Sequence, residues 1–192
     1  MIGESKGLAK IKAATAAEVC ARFDLKKEPR QLLRDGMGPG EFVQTLLANK
    51  QYVAGIDFMA HGLPPREAVW WGCLCVQHAY GDDLRSPEKE ACAAAVRWVI
   101  QPTEENRAAA QEPAQAAGRA SATGQLARAA NQTGGNVAPP NAPPLVPAPF
   151  APAKAVALAV NLAANKADPL KIADTQRLFV ELAIGVAEGR FR

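Results

Sequence analysis

The sequence predicts an all-α domain, a compact bundle of short antiparallel helices in a helical-repeat-like order. Three observations lead to this prediction. Alternating apolar and polar runs, which mark half-buried strands, are almost absent, whereas helix-starting residues recur before apolar segments. Alanine dominates the 48% hydrophobic fraction and aromatic residues make up only 6%, which favours close helix packing. Residues 63–80 predict a nearly uncharged helix on which the others can pack.

That central helix lies in residues 63–80 (LPPREAVWWGCLCVQHAY). Pro64 and Pro65 suit its first turn, where a missing N–H costs nothing, and Gly81 suits its end. Residues 68–76 carry no charge, and a helix that is apolar all round has to be covered all round. The segment is shorter than the roughly 20 apolar residues that cross a bilayer. We therefore expect it to be wrapped by the other helices.

Before the central helix, the sequence predicts a flexible arm and four short helices. Residues 1–13 contain no helix start and are assigned to the arm, and residues 14–192 to one all-α domain. Thr15 and Glu18 have the spacing of a capping box, in which each side chain satisfies a free N–H of the first helical turn. The next three helices are expected to begin near Pro29, Glu41 and Tyr52.

After the central helix, capping residues predict three more helices. Ser86 followed by Pro87 has the pattern of a cap with proline at the first helical position. Thr103 is expected to open a second helix, which Pro113 should kink or end. Ser121 is expected to open a third, short helix.

Residues 136–152 are rich in proline and predict an extended strap before the two C-terminal helices. The strap contains two PxxP spacings, so it is either a ligand for an SH3-type domain or a rigid connector lying over the bundle. The C-terminal helices are expected over residues 153–165 and after Asp168, which is a cap followed by proline.

Composition and charge restrict the function classes. A formal net charge of +3 is weak for a nucleic-acid-binding protein, which concentrates its basic residues on one face. Here most basic residues alternate with acids, and the exceptions are interpreted as solvated surface: Lys6, Lys10, Lys12, Lys26 and Lys27. The first residues contain no secretory signal, and no segment predicts a transmembrane helix. We expect a cytoplasmic protein that binds neither nucleic acid nor membranes.

A metal site or a cysteine-based active site is one alternative, built from Cys73, Cys75, His78 and Cys92. Cys75 and His78 share a helix face, but structural zinc usually uses paired cysteines from turns. Buried cysteines in a tight helix explain the same residues, since free cysteine is among the most buried types. His61 is explained as a histidine that complements a helix dipole. We predict no catalytic residue, metal ligand or cofactor.

Partner binding is predicted for Arg66, Glu67, Trp70 and Trp71. The two indoles are on adjacent positions and point about 100° apart, so one is expected in the core. The other would line a groove, where tryptophan is often an energetic hot spot, and the alternative is that both lie in the core. The alternative for the charged pair is structural: Glu67 facing the helix dipole and Arg66 bridging to a neighbouring helix.

Residues 60–71 (AHGLPPREAVWW) resemble the LPxREAVWW motif of an uncharacterised family of bacterial helical proteins. In that family the motif is followed by a TPEENR-like step and a strap rich in glycine and proline. Residues 102–107 (PTEENR) and 134–140 (GGNVAPP) resemble these two elements, while Gly72 stands where alanine is expected. Similar genes are found in type VI secretion effector clusters, which implies an accessory role and supplies no catalytic residue.

The scaffold and the resemblance together predict a non-enzymatic protein-binding accessory factor. Its expected role is that of an adaptor or co-chaperone that helps to load a type VI secretion effector. The expected partner is the effector, its adaptor, or a PAAR- or spike-type protein. One alternative is an immunity protein that neutralises a toxin, although such proteins are often acidic and this chain is slightly basic. The Cys/His metal protein or enzyme is the other.

Overall fold

The computed structural model describes residues 8–138, 142–166 and 168–191. This part of the chain is all-helical, with no strand, which confirms the predicted fold class. A 3₁₀ turn at Pro169–Lys171 precedes the last helix. The helices are α1 (Ala16–Cys20), α2 (Lys27–Arg30), α3 (Pro39–Ala48), α4 (Tyr52–Gly62), α5 (Pro65–Tyr80), α6 (Glu88–Ile100), α7 (Glu104–Ala109), α8 (Gln111–Ala117), α9 (Ala122–Asn131), α10 (Ala151–Ala164) and α11 (Ile172–Ala187).

Three of the predicted capping residues, Thr15, Thr103 and Ser121, are confirmed by their hydrogen bonds. The Thr15 hydroxyl accepts a hydrogen bond from the Glu18 N–H at 3.3 Å, and the Glu18 carboxylate accepts one from the Thr15 N–H. Thr103 and Ser121 cap α7 and α9 in the same way. The prediction for Ser86 is wrong, because Pro87 itself occupies the cap position of α6.

The chain breaks before Pro113 and not at it. α7 ends at Ala109, and Pro113 lies in the first turn of α8. A proline is tolerated there because its missing N–H would have no helical partner, and its ring meets no carbonyl of a preceding turn. The predicted interruption is therefore real, but it falls a turn earlier.

The predicted flexible arm is wrong for residues 8–13, whereas residues 1–7 lie outside the described residues. Ile11 is buried, with its side chain against Gly62 at the end of α4. The Lys10 N–H donates a hydrogen bond to the Ala187 carbonyl at 3.0 Å. A segment without helix signals is thus held on the bundle by one apolar side chain and by backbone pairing, which the sequence does not indicate.

α5, α9 and α10 pack against one another at the centre of the bundle. α5 and α9 approach closely at Gly72. A Cβ added to this residue would lie only 2.3 Å from the Leu126 side chain of α9. The prediction that α5 would be covered on every side is wrong. Trp70 is half-buried and both Gln77 and His78 are exposed, so one face of α5 reaches the surface.

Arg107 fastens the strap to the helices. Its side chain is only 4% exposed, and it donates hydrogen bonds to the carbonyl groups of Asn131 (2.5 Å) and Asn136 (3.2 Å). The Asn136 amide oxygen then accepts the Leu145 N–H at 2.8 Å, so both limbs of the strap meet at one side chain. Residues 142–148 contain no helix, as predicted, but α10 begins at Ala151, before the predicted end of the strap. Residues 139–141 lie outside the description, so one PxxP spacing is not fully covered.

In the part of the chain that the structure describes, no helix has the length and apolar character needed to cross a membrane.

Candidate partner-binding site

Three of the four residues predicted to bind a partner line one groove on the surface. Arg66, Glu67 and Trp70 occupy the first two turns of α5 and form one side of it. The cavity has a volume of about 220 Å³. Its remaining walls come from distant parts of the sequence. We call this cavity the Trp70 groove, and its lining residues are Lys10, Arg66, Glu67, Trp70, Val99, Ile100 and Phe191.

The Trp70 groove is lined by both apolar and charged side chains. Trp70 is half-buried, and Ile100 exposes 65% of its surface at the end of α6. The Arg66 guanidinium donates to the Val99 carbonyl at 2.7 Å, which satisfies one of the free carbonyl groups at that helix end. Glu67 pairs with the Lys10 ammonium at 3.5 Å. An apolar centre with a polar rim is the usual anatomy of a protein-binding surface.

Trp71 lies in the core and is not part of this surface. Its side chain is fully buried, and its indole N–H donates to the Phe179 carbonyl of α11 at 2.8 Å. The expectation that one of the two indoles enters the core while the other lines a groove is confirmed. The assignment of Trp71 itself to partner binding is corrected, because no partner reaches a fully buried ring.

A second and larger cavity, which sequence reasoning missed, lies on the other side of the α5 N-terminus. It has a volume of about 550 Å³, and its walls are the N-terminal segment, the α4–α5 junction, the end of α9 and the strap. We call it the basic cleft, because Lys10, Lys12 and Arg22 line it together with His61. Lys10 and Lys12 stood out in the sequence only as part of a basic run. Nothing local showed that they meet Arg22 and the strap.

His61 is a buried, neutral imidazole beside this cleft. Its Nδ1 donates to the Asp57 carbonyl at 2.8 Å, and its ring stacks on Phe23 with the centroids 4.8 Å apart. Its Nε2 is buried and has no hydrogen-bond partner in the described part of the chain. Burial lowers the pKa of His61, and the nearby cations Lys154 and Arg22 lower it further. The hydrogen bond to Asp57 acts on this pKa in the opposite direction, and the helix-dipole role of His61 stays a prediction.

Comparison with known proteins places the chain in a family. The family of unknown function DUF6931 matches residues 42–187, which is more than half of the chain. The chain belongs to DUF6931. No curated protein and no solved structure matches this chain. The DUF6931 match includes His61 and the α5 residues of the Trp70 groove, whereas Lys10, Lys12 and Arg22 precede it.

The four cysteines of this DUF6931 chain are free thiols, and three of them are buried. Cys73 and Cys75 are buried, and burial raises the pKa of each thiol well above its ordinary value. Burial also raises the pKa of the half-buried Cys92. His78 is exposed and packs edge-on against Phe179. Across residues 8–138, 142–166 and 168–191, no three His, Cys, Asp or Glu side chains converge as metal ligands.

Asp57 gives the fold a pH dependence that a substitution can isolate. Burial raises the pKa of its carboxyl to about 6, and the nearby Lys26 acts in the opposite direction. The folded state therefore holds this proton more tightly than the unfolded state, so stability falls as the pH rises from the ordinary carboxyl pKa towards 6. Asp57→Asn, which cannot ionise, should melt at a higher temperature than the native chain at neutral pH. The difference should vanish below about pH 4.

Calorimetric melting of both chains across this pH range measures the effect. Asp24→Asn, which alters an exposed carboxyl of the same surface region, is the control for a general charge effect. An advantage of Asp57→Asn that is the same at every pH would show that its carboxyl does not titrate in this way.

Proposed function

We propose that this protein is a non-enzymatic accessory factor that holds a segment of another protein in the Trp70 groove. The observation that carries the proposal is the meeting of Trp70, Ile100 and Phe191, from separate parts of the chain, around one surface cavity. Exposed apolar side chains that cluster beside charged ones are costly in water and favour association. The groove accommodates a large apolar side chain of a partner.

We further propose that the partner belongs to a type VI secretion system and that the protein acts in the cytoplasm. The resemblance of residues 60–71 to the LPxREAVWW motif supports this choice, because similar genes accompany secretion effectors, their adaptors and PAAR- or spike-type proteins. The protein would then act as an adaptor or co-chaperone that keeps an effector ready for loading. Its role would be stoichiometric binding without turnover.

Substitutions in the groove should weaken this binding without unfolding the protein. Ile100→Glu places a charge among the apolar groups of the groove, and Trp70→Ala removes its largest wall. Each should raise the dissociation constant by about tenfold or more, since a tryptophan or a central apolar contact in an interface contributes about 2 kcal/mol. Leu170→Glu is the matched control, because Leu170 is 90% exposed and lies in the 3₁₀ turn, outside the groove.

The experiment is co-expression of the native chain with each protein of a secretion effector cluster, followed by co-purification and titration calorimetry. The proposal requires that at least one effector, adaptor or spike-type protein co-purifies, and that Ile100→Glu but not Leu170→Glu disrupts the complex. Equal loss with both variants, or no complex with any member, would contradict it. Rescue of growth during co-expression with a toxin, independent of the groove, would favour the immunity alternative.

A further inference from the structure

The Trp70 groove and the basic cleft form one continuous surface around the first turn of α5. Lys10 lines both cavities. Arg66 and Glu67 face the groove, whereas Pro64 and Pro65 line the cleft. A ligand that occupies both would pass over the α5 N-terminus and would be longer than a typical small molecule.

The cleft has a strongly one-sided charge. Lys10, Lys12 and Arg22 line it, and no carboxylate belongs to its wall in the described part of the chain. Among the described residues, Lys10 pairs with Glu67 from the groove side. Arg22 is held in place, because it donates to the His61 carbonyl at 2.8 Å and lies over the Phe150 ring. Such a wall attracts anions and repels cations.

Two helix N-termini add to this positive potential. Pro64 and Pro65 at the start of α5, and Phe150 and Pro152 at the start of α10, line the cleft. Neither helix has a side-chain cap at its N-terminus, although Pro65 and Pro152 carry no N–H and the Ala151 N–H already donates to the Ala148 carbonyl. The positive ends of two helix dipoles thus meet the three cations at one cavity.

His61 supplies an independent observation on the chemistry of the ligand. It lines the cleft, it is 4% exposed, and its Nε2 has no partner among the described residues. Because Nδ1 is the donor to Asp57, Nε2 carries a lone pair and needs a donor. A peptide brings N–H groups as well as carboxylates, whereas a simple carboxylate brings no donor.

We propose that the basic cleft binds an acidic, extended segment of the protein partner, next to the apolar side chain that fills the Trp70 groove. The inference rests on the proposed function and specifies the partner: glutamate or aspartate side chains face Lys12 and Arg22, and a neighbouring apolar residue reaches Trp70. The strap forms the outer wall of the cleft through Val146, Pro147 and Ala148. Its attachment at Arg107 therefore supports the binding surface.

The test uses the full chain and a fluorescein-labelled peptide with a run of glutamates followed by a leucine. Fluorescence anisotropy should show binding that weakens as salt is added, and the same peptide with glutamines should bind at least tenfold more weakly. Lys12→Glu should weaken binding about tenfold. Lys27→Glu, an equal charge change at an exposed site outside the cleft, should have little effect.

A second variant changes the shape of the cleft without changing its charge. Gly134 lines the cleft, and a Cβ added there meets nothing within 4 Å, so Gly134→Phe should fold normally and reduce peptide binding. Equal effects of Lys12→Glu and Lys27→Glu, equal binding of the glutamine peptide, or free glutamate competing as well as the peptide would each overturn the inference. The proposed function is judged separately, because Ile100→Glu tests it on a natural partner without altering the cleft.

Discussion

Replacing Trp71 with alanine should lower the free energy of unfolding by about 3–5 kcal/mol, the usual loss when a buried tryptophan is truncated. Trp71 is the largest of the fully buried side chains, and its indole N–H holds the Phe179 carbonyl of α11. The variant loses the burial of the ring, leaves a cavity in α5 and breaks a link to the last helix. Urea denaturation followed by far-ultraviolet circular dichroism measures the change.

Two further variants separate the parts of this effect. Trp71→Phe keeps an aromatic ring but loses one hydrogen bond and part of the buried ring, so its cost should be smaller, about 1–3 kcal/mol. The Phe179 carbonyl keeps its partner within α11. Trp70→Ala changes the neighbouring indole, which is half-buried, and should cost less than Trp71→Ala. Equal losses at Trp70 and Trp71 would show that the two rings do not divide into core and surface as described.

The relative stability losses of the two alanine variants also test whether Trp71 and Trp70 have different roles. Trp71 should determine whether the chain folds, and Trp70 should determine whether a folded chain binds its partner. A Trp70→Ala chain that melts close to the native temperature yet fails to bind would separate function from stability at adjacent residues.

The helices were predictable because their start signals are local. The caps at Thr15, Thr103 and Ser121 each act within one turn, so the sequence contains both the donor and the acceptor. The exception is Ser86, where the predicted position of the cap was one residue too early. Errors at this scale move a boundary without changing the fold class.

The surfaces were less predictable, because they join residues that are far apart in the sequence. Arg66, Glu67 and Trp70 lie within two turns of one helix, so their proximity follows from helical spacing. Their contacts with Ile100 and Phe191 depend on how α6 and the chain end pack, which no local pattern gives. The basic cleft was the least predictable surface, because its cations lie near the start of the chain and its outer wall is the strap, more than 100 residues later.

Two sequence elements, residues 102–107 and 134–140, meet in the structure at Arg107. Residues 102–107 and 134–140 were noted as separate elements of one pattern. Arg107, the last residue of the first element, donates to the carbonyl of Asn136 in the second. Gly135, which precedes Asn136 in the second element, has a positive φ of 64°. A Cβ added to it would come within 3 Å of the Arg107 guanidinium. Close approach of the strap to Arg107 therefore requires glycine at this position.

Removal of Arg107 should be the second most costly substitution. Arg107→Met keeps the apolar stem but withdraws the donors of two carbonyl groups, at Asn131 and Asn136. The buried Asn131 carbonyl is left without this donor at about 1–3 kcal/mol, and the part-buried bond to Asn136 is lost at about 1 kcal/mol. The free energy of unfolding should therefore fall by about 2–4 kcal/mol. Glu104→Gln weakens the partner carboxylate, which is largely exposed, and should cost far less.

The consequences for the strap distinguish this effect from a general loss of stability. Without Arg107, Asn136 loses the contact that fixes it to α7, and the Leu145 N–H, which its amide oxygen accepts, should exchange faster with deuterium. Helix amides in α4 and α11 should keep their relative protection. Faster exchange at Leu145 together with weaker binding of the glutamate peptide would link the guanidinium to the cleft through the strap. Uniformly faster exchange across all helices would contradict that link and leave Arg107 as an ordinary stabilising residue.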